Sequence, residues 1–209
     1  YLELVPNEKI RYTDRFDDPQ LASEIQVTVT LKKVFCGTEL TAAGMTAGGI
    51  TSVSFNVAAI LSPNNQDGFT VKAGFTTTAD LSAGWIAGLP VVSGPQNINS
   101  IVGGNTFLFN SPVIWDGSSN LVIEICWDND PDNTCTASSP VCWGNTSTTS
   151  IATAPFAAAS RYYYSDNSSG TRDMCSTTSL IGTTQSRPVM TLGFGNAVDF
   201  LWSPATGLN

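Results

Sequence analysis

Glu24-Ile25-Gln26-Val27-Thr28-Val29-Thr30-Leu31-Lys32 alternates polar and apolar side chains without a break. Successive side chains of an extended chain point to opposite faces, so this run predicts a strand with Ile25, Val27, Val29 and Leu31 on one face. Asp17-Asp18-Pro19 ahead of it is a turn signal, and Tyr1-Leu2-Glu3-Leu4-Val5 and Lys9-Ile10-Arg11-Tyr12 read as shorter preceding strands. Beyond it, Thr38-Glu39-Leu40-Thr41-Ala42-Ala43-Gly44 reads as a short helical turn stopped by glycine. Strand-like runs then recur at 50–60, 69–75, 106–110, 121–127, 161–165 and 188–194. They are punctuated by Pro63-Asn64-Asn65, Gly94-Pro95, Gly103-Gly104 and Asp116-Gly117. Many short strands with turn-forming separators and no long helical period predict an all-β fold, an antiparallel β-sandwich or jelly roll with Gly/Asn/Pro-rich loops.

Composition narrows the function. Charged residues are only 12% of the chain, a balance that suits an extracellular β protein better than a charge-rich helical one. With a formal charge of −8 and only nine Lys and Arg, scattered along the chain, wrapping nucleic acid is not expected. No apolar run approaches the roughly 18–20 residues that span a bilayer, so no membrane span is expected. The chain opens at Tyr1 without a signal-peptide pattern and reads as a mature or excised fragment. His is absent, which removes the usual general base, the Ser-His-Asp and Cys-His nucleophile systems and His-based metal sites. The expectation is a protein that is not an enzyme.

Charge is unevenly distributed. Residues 1–40 carry 12 charged side chains and one Gly, whereas residues 41–209 carry only 14, four of them basic, with nearly all the Gly. Three units are expected: 1–37 as a fragment of a different, helix-grip-like fold or as added N-terminal strands, 38–196 as the main secreted sandwich, and 197–209 as a linker or the start of a further Ig-like module.

Two resemblances follow this division. Ile114-Trp115-Asp116-Gly117-Ser118-Ser119-Asn120-Leu121-Val122-Ile123-Glu124-Ile125-Cys126 resembles a β-sandwich module of large secreted proteins of Bacteroidota. Glu39-Leu40-Thr41-Ala42-Ala43-Gly44-Met45, Ile50-Thr51-Ser52-Val53 and Ser186-Arg187-Pro188-Val189-Met190 support it, and Trp202-Ser203-Pro204-Ala205-Thr206-Gly207-Leu208 is similar to the entry of the Ig-like repeats in such proteins. The resemblance implies type IX secretion cargo, adhesin-like and extracellular, whose partners are other copies or neighbouring modules of the same surface protein. Tyr1-Leu2-Glu3-Leu4-Val5-Pro6-Asn7-Glu8, Tyr12-Thr13-Asp14-Arg15-Phe16-Asp17-Asp18-Pro19 and Val27-Thr28-Val29-Thr30-Leu31 instead resemble the Hsp90-ATPase-activator-like branch of the helix-grip (START-like) superfamily. That resemblance implies a ligand cavity closed by a long C-terminal helix, which residues 170–209, rich in Thr, Gly and Pro, do not offer.

Candidate chemistry is sparse. Asp128, Asn129, Asp130, Asp132 and Asn133 form an oxygen-rich loop of the kind calcium favours, although the Gly and later Glu of an EF-hand loop are missing; a solvated acidic turn is the plainer reading. Cys126, Cys135, Cys142 and Cys175 suit disulfides in an oxidising compartment. Cys135 with Cys142 would close a short loop and leave Cys126 with Cys175, the other connectivities staying open. Cys36 is left over, and no C-x-x-C spacing supports zinc. Asp116 and Glu124 are the acids nearest to a glycosidase-like pair, but Asp116-Gly117 is a turn and Glu124 sits mid-strand on a face expected to be exposed. Trp143 and Tyr163, each among polar neighbours, are candidate stacking platforms for a polysaccharide, while most other aromatics are expected in the core. Ile25, Val27, Val29 and Leu31 mark a candidate assembly strand, which either completes the sandwich of its own chain or pairs with a neighbour's edge.

Overall fold

A computed structural model of the chain describes residues 3–5, 9–11, 28–61, 65–127, 146–149, 151–165, 175 and 182–195. The elements in chain order are β1 (Glu3–Val5), β2 (Lys9–Arg11), β3 (Thr28–Phe35), α1 (Gly37–Ala42), β4 (Gly48–Leu61), β5 (Asn65–Thr76), β6 (Val91–Asn99) and β7 (Gly103–Trp115). They continue with β8 (Asn120–Cys126), β9 (Thr146–Thr149), β10 (Ile151–Thr153), β11 (Ser160–Ser165), β12 (Gly182–Thr184), β13 (Ser186–Pro188) and β14 (Met190–Gly195). A six-stranded sheet has the order β12-β11-β3-β8-β5-β6, and a four-stranded sheet is built from β14, β4, β7 and β9. All pairings are antiparallel, β1 with β2 and β10 with β13 forming two small separate ladders. The fold is an all-β antiparallel sandwich.

The register of β3 explains how the charged N-terminal stretch is absorbed. Leu31 lies opposite Ile125, Lys33 opposite Ile123 and Phe35 opposite Leu121. Leu121, Ile123 and Ile125 are buried in the main core, and on the same face Lys33 is buried and Phe35 packs against that core. Val34 faces the other way and packs with Val122 beneath Leu81 in a second small core, flanked by Ile86 and Leu89. Both hydrogen-bonding edges of β3 are occupied, one by β8 and the other by β11. The expected strand therefore completes the sheet of its own chain, with Thr30–Lys33 paired on both sides.

The two sheets meet through large side chains. Ile50, Val53, Phe55, Phe107 and Trp115 from the four-stranded sheet pack on Phe69, Val71, Ala73, Leu121, Ile123 and Ile125 from the six-stranded one. Phe69 and Phe107 stack across the interface at 4.5 Å between ring centroids. Each side chain of this size contributes about 1.5–3 kcal/mol when fully buried. Trp115, buried at the end of β7, donates its indole N–H to the Ser119 carbonyl at 2.8 Å, which satisfies its polar end inside an apolar setting.

α1 forms where the sequence places a short helical turn. The Glu39 carboxylate accepts the Cys36 N–H at 2.9 Å, capping the helix start, and Gly44, with φ +87°, ends it. Gly37 is required by proximity: a Cβ there would lie 2.0 Å from the Ser118 carbonyl oxygen. Its N–H donates to Asn120 Oδ1 at 2.8 Å, joining α1 to the start of β8.

Two separators and one strand behave differently from expectation. Gly94-Pro95 lies inside β6, where the register against β5 shifts repeatedly, because an irregular ladder at a sheet edge accommodates a residue without an N–H. Gly103-Gly104 opens β7, which runs well beyond the expected 106–110. The expected strand at 188–194 is divided: β13 pairs with β10, and β14 pairs with β4.

Candidate functional site

The polar side chains gather in two places, one on each side of the six-stranded sheet. On the outer face Arg161, Lys32, Glu124 and Lys72 occupy one cross-strand row through β11, β3, β8 and β5. Lys72 Nζ donates to Glu124 Oε1 at 3.0 Å and to the Cys175 carbonyl. Glu124 is buried, which corrects the expectation of an exposed mid-strand face: the row is covered, and a buried carboxylate is retained because a cation lies beside it. Arg161, also buried, donates to the Leu81 carbonyl at 3.1 Å and lies 5.6 Å from the centre of the Trp85 ring, fixing the segment after β5 onto the sheet. Cys126, at the end of β8, forms a disulfide with Cys175, so the backbone of Cys175 is held beside this row by two attachments. Tyr163 is half-buried on β11, in the row containing Thr30 and Cys126.

The second place lies between the sheets, at the start of α1. Arg187 donates to Glu39 Oε1 at 2.6 Å through one terminal nitrogen, and to Glu39 Oε2 at 3.0 Å and the Val34 carbonyl at 3.1 Å through the other. Its guanidinium also lies 4.5 Å from the Phe35 ring centre. These bonds hold the Glu39 carboxyl below the ordinary glutamate range. The Cys36 thiol is pushed up by burial, with the Glu39 charge adding to the effect. Lys33 is wholly buried 4.7 Å from the Phe55 ring centre, and among the described residues its Nζ has no hydrogen-bond partner. Burial first, and the Arg187 charge second, push its pKa well below the ordinary lysine value.

Most residues singled out from sequence are not brought together. Asp128, Asn129, Asp130, Asp132, Asn133, Cys135, Cys142, Trp143, Ile25 and Val27 lie outside the described residues. Val29 and Leu31 are positions on β3, opposite Tyr164 and Tyr162 of β11. Asp116 accepts the Ser119 hydroxyl and the Ser119 and Ser118 N–H groups, the latter two at 2.7 and 2.8 Å, which makes it a turn residue and, the hydroxyl contributing most, holds its carboxyl below the usual range. Among the described residues no three His, Cys, Asp or Glu side chains converge to hold a metal ion. Sequence reasoning missed Lys33, Lys72, Arg161 and Arg187. For Arg161 and Arg187 the available signal was rarity, each being the one charged residue of its strand, and a lone cation in a strand must either reach water or find a partner.

The fold and these clusters define a sandwich whose buried charges tie its parts together. The family model described as "Activator of Hsp90 ATPase homolog 1-like protein" matches residues 1–56. The matched stretch contains β1, β2, β3 and α1 and ends within β4, so it supplies a strand to each sheet. The N-terminal quarter of the chain is thus similar to that family. No curated protein and no solved structure matches the chain.

Proposed function

We propose that this chain is a non-catalytic structural and adhesive module of a secreted bacterial surface or fibre-forming protein, of the type IX secretion kind its sequence resembles. The observation that carries the reading is the use made of the buried polar groups. Arg187 holds Glu39 and the Val34 carbonyl, Arg161 holds the Leu81 carbonyl, and Lys72 holds Glu124 and Cys175. These side chains cross-link the sandwich. The Cys126–Cys175 bond adds to them and suits an oxidising, extracellular compartment. Protease treatment of intact source cells, followed by blotting for this chain, tests the reading. Loss of the chain under conditions that spare cytosolic markers is expected, and full protection together with recovery in the cytosol would overturn it.

The match over residues 1–56 favours a second reading, an Hsp90-activator-like protein that binds a ligand or chaperone. Among the described residues the helix is the six-residue α1, far shorter than a helix able to close a cavity. Stimulation of an Hsp90 ATPase by the purified chain, lost on deleting residues 1–27, would establish this reading over the first. A polysaccharide-binding role rests on Tyr163 and Trp143, and loss of pull-down on Tyr163→Ala is its test.

A further inference from the structure

The four-stranded sheet differs in kind from its partner. β4, β7, β9 and β14 contain not one Asp, Glu, Lys or Arg, whereas the strands of the six-stranded sheet carry Lys32, Lys33, Asp67, Lys72, Glu124 and Arg161. On a chain of net charge −8, this is a sheet along which two copies can approach without like charges facing each other. Its edge strand β7 pairs with β4 on one side, and among the described residues no strand pairs with its other side. Exposed edges are commonly guarded by lysines or by inward-pointing charges. The Gly103–Leu108 half of β7 has neither.

The side chains along that half are equally permissive. Leu108 is 73% exposed, in register with Ser52 of β4, which in turn lies opposite Gly193 of β14. Thr106, Ser54 and Thr191 form the next row, so small neutral residues surround an outward leucine. Ile101 and Val102, just before the strand, are 62% and 63% exposed. Past Leu108 the ladder jumps, with Ser52 opposite Leu108 but Ile50 opposite Val113, and the bulged stretch includes Pro112, which lacks an N–H. Pairing along this edge is therefore limited to Gly103–Leu108.

We propose that this edge is a self-assembly site whose occupant is a second copy of the chain. The two β7 strands run antiparallel about a twofold axis close to Thr106, joining the four-stranded sheets into one continuous sheet. A twofold contact uses the same patch on both copies, and an uncharged patch sets no like charges against each other when it meets its own copy. With Thr106 on the axis, Leu108 faces Gly104 of the second copy, a large side chain opposite none. The inference deepens the structural reading proposed above by naming the partner, and it can fail without that reading, because protease accessibility reports location and not association.

Sedimentation velocity of the full 209-residue chain over a concentration series is the test. A monomer–dimer equilibrium is expected. Leu108→Lys combined with Thr106→Lys should weaken it about tenfold or more by setting like charges across the axis, with the circular dichroism spectrum and melting temperature of the monomer retained. A wild-type chain that stays monomeric throughout the series would overturn the proposal. So would a dimer that the double variant leaves intact. Should the double variant lose its fold, Leu108→Lys alone decides, because that side chain projects mostly into solvent, and undiminished dimer formation by it counts against the site.

Discussion

Arg187 and Glu39 are 148 positions apart in sequence, yet they form a two-pronged ion pair at 2.6 and 3.0 Å, with the Arg187 side chain 9% exposed. The pair joins the segment just before β14 to the first turn of α1. Arg187 also bonds the last part of β3 through Val34, so one guanidinium connects three elements. The planar fork of arginine suits this role in a way a lysine ammonium would not.

Arg187→Ala should therefore cost about 2–4 kcal/mol, because it strands a partly buried carboxylate and the Val34 carbonyl together. Arg187→Lys should recover only part of the loss. Urea unfolding midpoints measure both, and a cost near zero for the alanine variant would show that the pair is dispensable.

The pair also sets a pH dependence. Because Arg187 holds the Glu39 carboxyl below its ordinary value, the folded state binds this proton less readily than the unfolded state. Its contribution is fully present above the ordinary glutamate pKa of about 4.3 and is lost as pH falls through the depressed folded value. Glu39→Gln should be less stable than wild type at neutral pH, with the gap closing on acidification. A gap of constant size across that range would contradict the assignment.

Lys33 gives a slope of the same sign, in a window that closes near the lysine rather than the glutamate pKa. Its folded pKa is depressed, so unfolding takes up a proton and stability rises with pH, from the depressed value up to the ordinary lysine pKa of about 10.4. Lys33→Met keeps the length of the side chain and removes the amine from an apolar setting. It should raise stability at neutral pH by about 1–3 kcal/mol, an advantage that shrinks towards pH 10. Thermal melts at several pH values would show this, and a destabilised methionine variant would mean that the amine has a role the apolar core does not explain.

Cys126 and Cys175 lie 49 positions apart, so their bond closes a long loop. Cys175→Ala should lower stability by about 2–4 kcal/mol, and a reducing agent should lower wild type to a similar level. Cys36→Ser, which removes the free thiol at the start of α1, should leave the response to reductant unchanged. Equal melting temperatures with and without reductant would show that the bond contributes nothing.

Removing the indole of Trp115 tests the core directly. The side chain is 1% exposed, and Trp115→Ala should cost about 3–5 kcal/mol through the cavity and the lost bond to Ser119. Trp115→Phe, which keeps most of the volume, should cost clearly less. The difference between the two separates packing from the single hydrogen bond.

Several elements were legible because their information is local. Alternation marked β3 and the residues that share a face of it, a glycine marked the end of α1, and Asp116-Gly117 marked a turn. The candidate sites were much less legible. Glu124 reads as an ordinary exposed strand residue until Lys72, 52 positions away, is placed beside it, and Arg187 has no local partner at all.

Sequence alone determined that the chain is all-β, which of its residues alternate, and that its charge is concentrated at the N-terminal end, because side-chain periodicity and composition need no knowledge of distant neighbours. Tertiary structure decided that β3 sits inside a sheet with both edges taken, while the uncharged β7 lies at an edge. It also decided that Lys33 is buried unpartnered among the described residues and that Arg187 finds Glu39. Strand order is set by pairings between segments far apart in the chain. Local pattern specifies which face of a strand is buried, but not which strand lies next to it.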